Sequence, residues 1–281
     1  MSAPVATSPK SAAEPRIKVR RMDFEFGEST PTFWFDDNPL LTATLSALAV
    51  SFPPGERYFI ASVRHFMDQV KDPALLAQVK AFVGQEANHT KEHIAFNQFL
   101  DSRGFPATAM EKWVADRVAE LQKRSSPEAN LARTAALEHF TAILASVLLE
   151  HPEIAERMSP EVAKLWVWHA IEEVEHRSVA FDVYKTAVDD EQLRIKVMLL
   201  TTVIFITVNA VRTAMLLRAS GRQRELLPTL KALNVMWGRP GLFRKVVPRY
   251  LEYFRKDFHP SQLDSGAFLE AAKRQYLGAA A

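Results

Sequence analysis

The chain contains no cysteine. That excludes disulfides, thiolate metal ligands and a cysteine nucleophile. Any metal would have to be held by imidazole and carboxylate, a donor set that suits iron, manganese or zinc. Glycine is scarce, 9 residues against 16 prolines, and few runs alternate with period two, so strands are not expected. An excess of one charge is lacking too: the formal net charge is +2, and charge alone points to no nucleic-acid partner. Residues 1–21 hold many Ala, Pro and Ser but no apolar run of the kind a secretory signal needs. They read as a disordered tail, and a cytoplasmic setting is expected. With 281 residues, 48% apolar and 24% charged, one enlarged domain or a domain with an appendage is expected.

What is present is helical periodicity. Six segments carry it, with their start and stop signals. The first runs from Pro39 to Val70 and is broken at Pro53-Pro54, restarting at Gly55 with the prolines in or before its first turn; the second runs from Pro73 to Arg103 and stops at Gly104. The third spans Ala107 to Arg124, and Ser125-Ser126-Pro127-Glu128 opens a fourth that reaches Glu150. Ser159-Pro160-Glu161 opens a fifth that runs to Val188, and a sixth spans Glu191 to Ala219. Beyond Gly221, the prolines at 228, 240 and 248 favour short helices. The organisation expected is all-α: a tail over 1–21, a helical bundle over 22–220 and a C-terminal helical extension over 221–281.

The chemistry lies in the spacing of Glu and His. Residues three apart on a helix project about 60° apart, so Glu at i and His at i+3 can reach one metal. The second helix carries Glu86-Ala-Asn-His89 and the fifth carries Glu173-Val-Glu-His176, each in mid-helix among apolar residues. Glu56, followed by Phe59, Ile60 and Val63, and Glu138, within Ala135-Ala136-Leu137-Glu138-His139-Phe140, offer single carboxylates from two other helices. The order Glu, Glu-x-x-His, Glu, Glu-x-x-His is that of the di-iron and di-manganese site of ferritin-like four-helix bundles. Four buried carboxylates need cations, and two divalent ions balance four glutamates. The expected cofactor is therefore two metal ions per chain, iron first, with manganese or zinc as alternatives. His169 lies four residues before Glu173 on the same face and makes a seventh ligand candidate; His93, one turn past His89, competes for that place. His93, His139, Glu172, Glu175 and Asp182 are expected to stand behind the ligands and orient them.

The segments Gln85-Glu86-Ala-Asn-His89-Thr-Lys-Glu-His93, Leu137-Glu138-His139-Phe140-Thr141-Ala142 and Trp168-His169-Ala-Ile-Glu172-Glu173-Val-Glu175-His176 resemble a bacterial family described as predicted metal-dependent hydrolases. The resemblance covers residues 16–255 and implies the ferritin-like di-iron fold. The spacing of His169, Glu173 and His176 also resembles the last ligand helix of di-iron arylamine N-oxygenases. This implies a set of Glu56, Glu86, His89, Glu138, His169, Glu173 and His176, but not an arylamine substrate.

The function expected first is an O2-activating oxidase or oxygenase. It would need O2 and an electron donor and act on a small apolar or aromatic substrate, with Glu86 and one of Glu138 or Glu173 bridging. The alternative is hydrolysis by a dinuclear centre that activates water, although no Ser-His-Asp arrangement is evident. A ferroxidase or iron-binding role comes third. Residues Val197 to Val211 are nearly all apolar; fifteen residues rise about 22 Å, short of the roughly 30 Å hydrocarbon core of a bilayer. The segment 196–217 is thus a helix packed on the bundle or in a homodimer interface, or else one that meets the inner membrane, with Arg212, Arg218, Arg222 and Arg224 as a basic flank.

Overall fold

A computed structural model describes residues 17–278. No strand occurs among them; a lone bridge pairs Phe35 with Met158. Twelve α-helices follow one another: α1 Pro39–Ala49, α2 Phe52–His65, α3 Pro73–Ser102, α4 Ala107–Arg124, α5 Pro127–Glu150, α6 Pro152–Ala155, α7 Pro160–His176, α8 Val179–Ala187, α9 Glu191–Ala219, α10 Leu226–Leu233, α11 Leu242–Glu252 and α12 Gly266–Ala272. The chain is all-α, as expected.

Local chemistry explains most of the boundaries. Asn38, Asp72, Ser126 and Asp190 accept backbone N–H bonds at the starts of α1, α3, α5 and α9, and prolines open α1, α3, α5 and α7, where their missing N–H costs nothing. Gly104, at φ 86°, sits just past the end of α3 in the left-handed region that glycine favours. Two boundaries differ from the periodic reading. The first break falls at Val50-Ser51 and α2 restarts at Phe52 rather than Gly55; Pro53 and Pro54 lie in its first turn, as the sequence allowed, where ring and backbone are compatible. The fifth segment splits after His176. At that joint the Arg177 guanidinium donates to the Leu263 carbonyl (2.8 Å) and to Ser265 Oγ, a tertiary anchor that periodicity cannot register.

Four units form the bundle: α2 against α3, α5 against α7 and α8, with α2 also on α5 and α3 on α7 and α8. Helix α4 covers α2 and α3, α9 lies along α1 and α5, and α11 and α12 close over α5. The segment before α1 is also part of the fold. Phe24 packs on Trp168 and Phe26 on Phe96, with ring centroids 5.4 and 5.2 Å apart. Residues 17–21 therefore do not belong to a tail: Arg20 is only 5% exposed and sits among carboxylates. Residues 1–16 lie outside the described residues.

Helix α9 packs on the bundle, one of the alternatives read from sequence, but with one face only. One face is covered by α1 and α5, but only 22% of its apolar 18-residue window is buried. Arg212 turns inward, 8% exposed and bonded to Ser51 Oγ, so it does not join the basic flank. Burial pulls its pKa down to about 10. Helix α5 is also long and apolar enough to cross a membrane, but 83% of its window is buried in the bundle.

Candidate metal centre

Glu56 from α2, Glu86 and His89 from α3, Glu138 from α5, and His169, Glu173 and His176 from α7 converge at the middle of the bundle, all buried. Their ligand atoms form three groups: Glu56, His89 and His169; Glu86, His89 and Glu173; and Glu86, Glu138 and His176. Within each group they lie within 4.8 Å of one another. Two poles emerge. His89 Nδ1 is 3.8 Å from Glu86 Oε1 and 3.6 Å from Glu173 Oε1. His176 Nε2 is 3.1 Å from Glu86 Oε1, 3.4 Å from Glu138 Oε2 and 3.6 Å from Glu173 Oε2. Glu86 and Glu173 face both poles, while Glu56 and Glu138 each belong to one.

Both carboxylate oxygens of Glu56, Glu86 and Glu138, together with Glu173 Oε2, His89 Nδ1 and His176 Nε2, have no partner in hydrogen-bond geometry among the described residues. Buried polar atoms are ordinarily paired, and an unpaired buried carboxylate is costly. So many carboxylate oxygens and imidazole nitrogens facing one another at 3.1–3.8 Å without hydrogen-bond geometry fit divalent cations, the group this donor set would bind.

The protonation pattern tells the same story. Burial first, then the neighbouring carboxylates, push Glu56 and Glu86 well above the usual range. Burial and Glu173 raise Glu138 to about 7, against the pull of His176. Burial would also raise Glu173, but His176 and His169 beside it hold it well below that range. His176 is the converse: burial opposes its charge, but Glu173 and Glu138 raise it well above the usual imidazole value. Burial and the charge of His169 depress His89. Without cations the cluster can carry only part of its formal charge, and cations invert this local logic.

A pH dependence follows for protein stripped of metal. Groups whose folded pKa is raised stabilise fully below the unfolded value and lose that contribution as pH rises through the folded value. For Glu138, moving from 4.5 to about 7, this amounts to on the order of 3 kcal/mol. Chelator-treated protein should therefore melt at progressively lower temperature between about pH 6.5 and 8, above the range in which the depressed His89, His93 and His139 oppose the trend, while metal added at the upper end restores stability. A melting temperature that climbs with pH in chelator would contradict the assignment.

Each imidazole at the poles is oriented from behind. His89 Nε2 donates to Glu172 Oε2 (3.1 Å), which leaves Nδ1 facing the carboxylates. Burial pushes the Glu172 carboxyl up to about 8 despite Arg20, and positive charge beyond His89 would favour its ionised form. His176 Nδ1 donates to Gln85 Oε1 (2.8 Å), and Gln85 Nε2 donates to Glu175 Oε2 (2.9 Å) and the Lys18 carbonyl (3.0 Å). That fixed amide points His176 Nε2 toward the poles, where a cation would displace its proton. His169 Nδ1 lies 2.5 Å from His93 Nε2, and its Nε2 lies 2.8 Å from Glu173 Oε1. The two carboxylate arms meet at Arg20, which donates from Nη1 to Glu172 Oε1 (3.1 Å) and Glu175 Oε2 (2.8 Å), and from Nη2 to Glu175 Oε1 (2.8 Å). Lys273 adds a contact to Glu175 Oε1 at 2.9 Å. Burial would raise Glu175, but these cations hold it low.

Of the residues singled out from sequence, the seven ligand candidates come together, and His93, Glu172 and Glu175 stand directly behind them. Two do not. His139 points to the seam with α11, where its Nε2 donates to the Arg249 carbonyl (3.2 Å) and its ring packs on Tyr253 and Phe258; burial lowers its pKa to about 4. Asp182, on α8 beyond the joint after His176, accepts from His259 Nε2 (2.7 Å). Ser261 Oγ lies 2.7 Å from His259 Nδ1, so Ser261, His259 and Asp182 do form a chain that the sequence hid. It is a helix cap: His259 Nδ1 also takes the Ser261 backbone N–H at the start of the turn Pro260–Gln262. Arg20, Gln85 and Lys273 were missed. Gln85 stood beside Glu86 with no spacing signal, and the other two lie far from the motifs in sequence.

On the other side of the centre an apolar cavity of about 650 Å3, its open mouth included, reaches His169 and Glu173 between Phe52, Trp166, Ala170 and Phe205. Phe52 stands edge-on to His93 and tilted against His169, with centroids 4.6 and 4.7 Å away.

An all-α bundle with a buried cluster of glutamates and histidines defines a class of helical proteins equipped to bind metal. The chain belongs to the family described as predicted metal-dependent hydrolases, whose model matches residues 18–264. No curated protein and no solved structure matches it. The family description favours the hydrolytic alternative over the oxygen-activating reading taken first from ligand spacing.

Proposed function

We propose that this chain is a metal-dependent hydrolase of small apolar substrates, working at a dinuclear centre held by Glu56, Glu86, His89, Glu138, His169, Glu173 and His176. The observation that carries it is the set of buried, unpartnered carboxylate oxygens and imidazole nitrogens facing one volume from four elements; the family supplies the reaction class. Two bound divalent ions would lower the pKa of water and neutralise a developing oxyanion. The protein's part is to hold donors and exclude solvent. Glu86 and Glu173, which face both poles, would bridge. Glu172 and Gln85 fix the tautomers of His89 and His176, and His93 holds the ring of His169 on the cavity side. Phe52, Trp166 and Phe205 favour an apolar substrate in the cavity beside Glu173.

Oxidation with O2 remains as a second reading, supported by one feature: four glutamates and three histidines without Asp or Cys are the hard donor set that suits iron. Both readings are decided by loading the purified protein with zinc, manganese or iron(II) and offering apolar esters and amides without O2. Metal-dependent release of acid is the expected result, lost on Glu173→Gln. Turnover that requires iron(II) and consumes O2 in step with substrate would replace hydrolysis by oxidation.

A further inference from the structure

Helix α9 presents an apolar face that none of the described residues covers. Leu199, Leu200, Val203, Ile206 and Val211 are exposed along one side of it, Val203 and Ile206 at 64% and 61%. Lys196 and Arg218, both exposed, stand near its two ends. The face is not an isolated irregularity. Among the described residues, every exposed large apolar side chain except Val19 and Trp113 lies on or beside α9, α10 and α11, including Leu226, Leu227, Leu230 and Trp237. An exposed apolar helix face of this length marks an interaction site.

Charge identifies the occupant. Residues 192–250 contain 11 Lys or Arg and a single Glu, in a chain whose net charge is only +2; of the eleven, Arg194 and Arg212 are buried and Arg249 is paired with Glu150, and the others make the basic surround. The lone Glu225 is already paired with Arg222. An isologous contact with a second copy would set these basic segments against each other. An anionic bilayer supplies both halves of the complement: acyl chains for the leucine-rich face and phosphates for its basic surround. Spanning is excluded by the packing, because α9 is held along α1 and α5 and its Arg212 is bonded inside to Ser51. We propose that the chain is a monotopic peripheral protein that lays the exposed face of α9, with α10, on an anionic lipid surface.

The cavities fit this placement. A second cavity, between α2, α4, α5 and α9, includes the exposed Ile204 in its wall and shares Leu48, Phe52, Thr141 and Phe205 with the one that reaches His169 and Glu173. An apolar chain leaving the bilayer at α9 would meet this wall first. The docking itself does not depend on which reaction the centre runs.

The test uses the full chain, vesicles of phosphatidylcholine alone, and vesicles in which one third is phosphatidylglycerol, separated by flotation. Roughly tenfold more protein should float with the anionic vesicles. Val203→Ser with Ile206→Ser, a change at exposed positions checked by circular dichroism and melting, should remove most of that binding, about tenfold, without altering net charge. Equal flotation with both vesicle types, or binding indifferent to the double substitution, overturns the proposal. So does a stable dimer by light scattering that the double substitution converts to monomer, since a second copy would then own the face.

Discussion

Replacing Glu86 with Gln should have opposite effects on stability depending on whether metal is present. In metal-loaded protein the amide is a poor ligand at a position that faces both poles, so bound metal should fall to one ion per chain or less, as read by elemental analysis. The stabilisation that metal confers should fall with it, by several kcal/mol if the lost ion had been held at a hundred to a thousand times its Kd. In chelator, the same substitution should raise the melting temperature. The reason is the burial of Glu86 among Glu138, Glu173 and Glu56, which pushes its carboxyl well above the usual range. Folding at neutral pH must therefore neutralise a group that is ionised in the unfolded chain, a cost that a neutral amide avoids. A structural carboxylate would lose stability in both states. Unchanged metal content in both Glu86→Gln and Glu173→Gln would sink the ligand assignment.

Arg20→Ala is expected to be the most destabilising single change outside the poles. Arg20 is buried, and its guanidinium neutralises Glu172 and Glu175, which are also buried. Removing one partner of a buried ion pair strands the other, at a cost of about 3–5 kcal/mol. Lys273 remains on Glu175, the carboxylate that stays ionised, whereas Glu172, already pushed up to about 8 by burial, loses the cation beside it and is driven further toward the neutral acid. That inequality gives the experiment its second readout. Glu172 orients His89, and loss of such an orienting partner typically weakens metal binding 10–100-fold. Urea titration of the metal-free protein would measure the first effect, and competition with a chelator of known affinity the second. Arg20→Lys keeps the charge but not the two-pronged geometry and should fall between. A loss under about 1 kcal/mol together with unchanged metal affinity would reduce Arg20 to the rank of an ordinary surface pair.

These two expectations draw on different parts of the chain, and the difference is instructive. Glu86 was found from spacing, because a helix converts sequence intervals into a shared face. The motifs Glu86-x-x-His89 and Glu173-x-x-His176 and the solitary Glu56 and Glu138 needed only the helical period to be grouped. Arg20 could not be found that way. It sits in a segment without periodicity, more than 150 residues from the carboxylates it neutralises, and composition alone made that segment look like a tail. The same limit explains His139 and Asp182. Both lie close in sequence to ligand candidates, but their side chains point to the C-terminal part of the chain, where Arg249 and His259 wait.

The sequence by itself determined the all-α class, most helix boundaries, the absence of thiolate chemistry and six candidate ligands, with His169 and His93 as alternatives for a seventh, because each follows from residue type or from the 3.6-residue period. Only the tertiary structure decided the rest. It split the fifth segment after His176, turned Arg212 into the protein and left one face of α9 bare. It also placed Gln85 behind His176 and drew Arg20 across to Glu172 and Glu175. Those outcomes depend on which helices become neighbours and on where a buried charge finds its partner. That pairing is made in space, and intervals along the chain do not encode it.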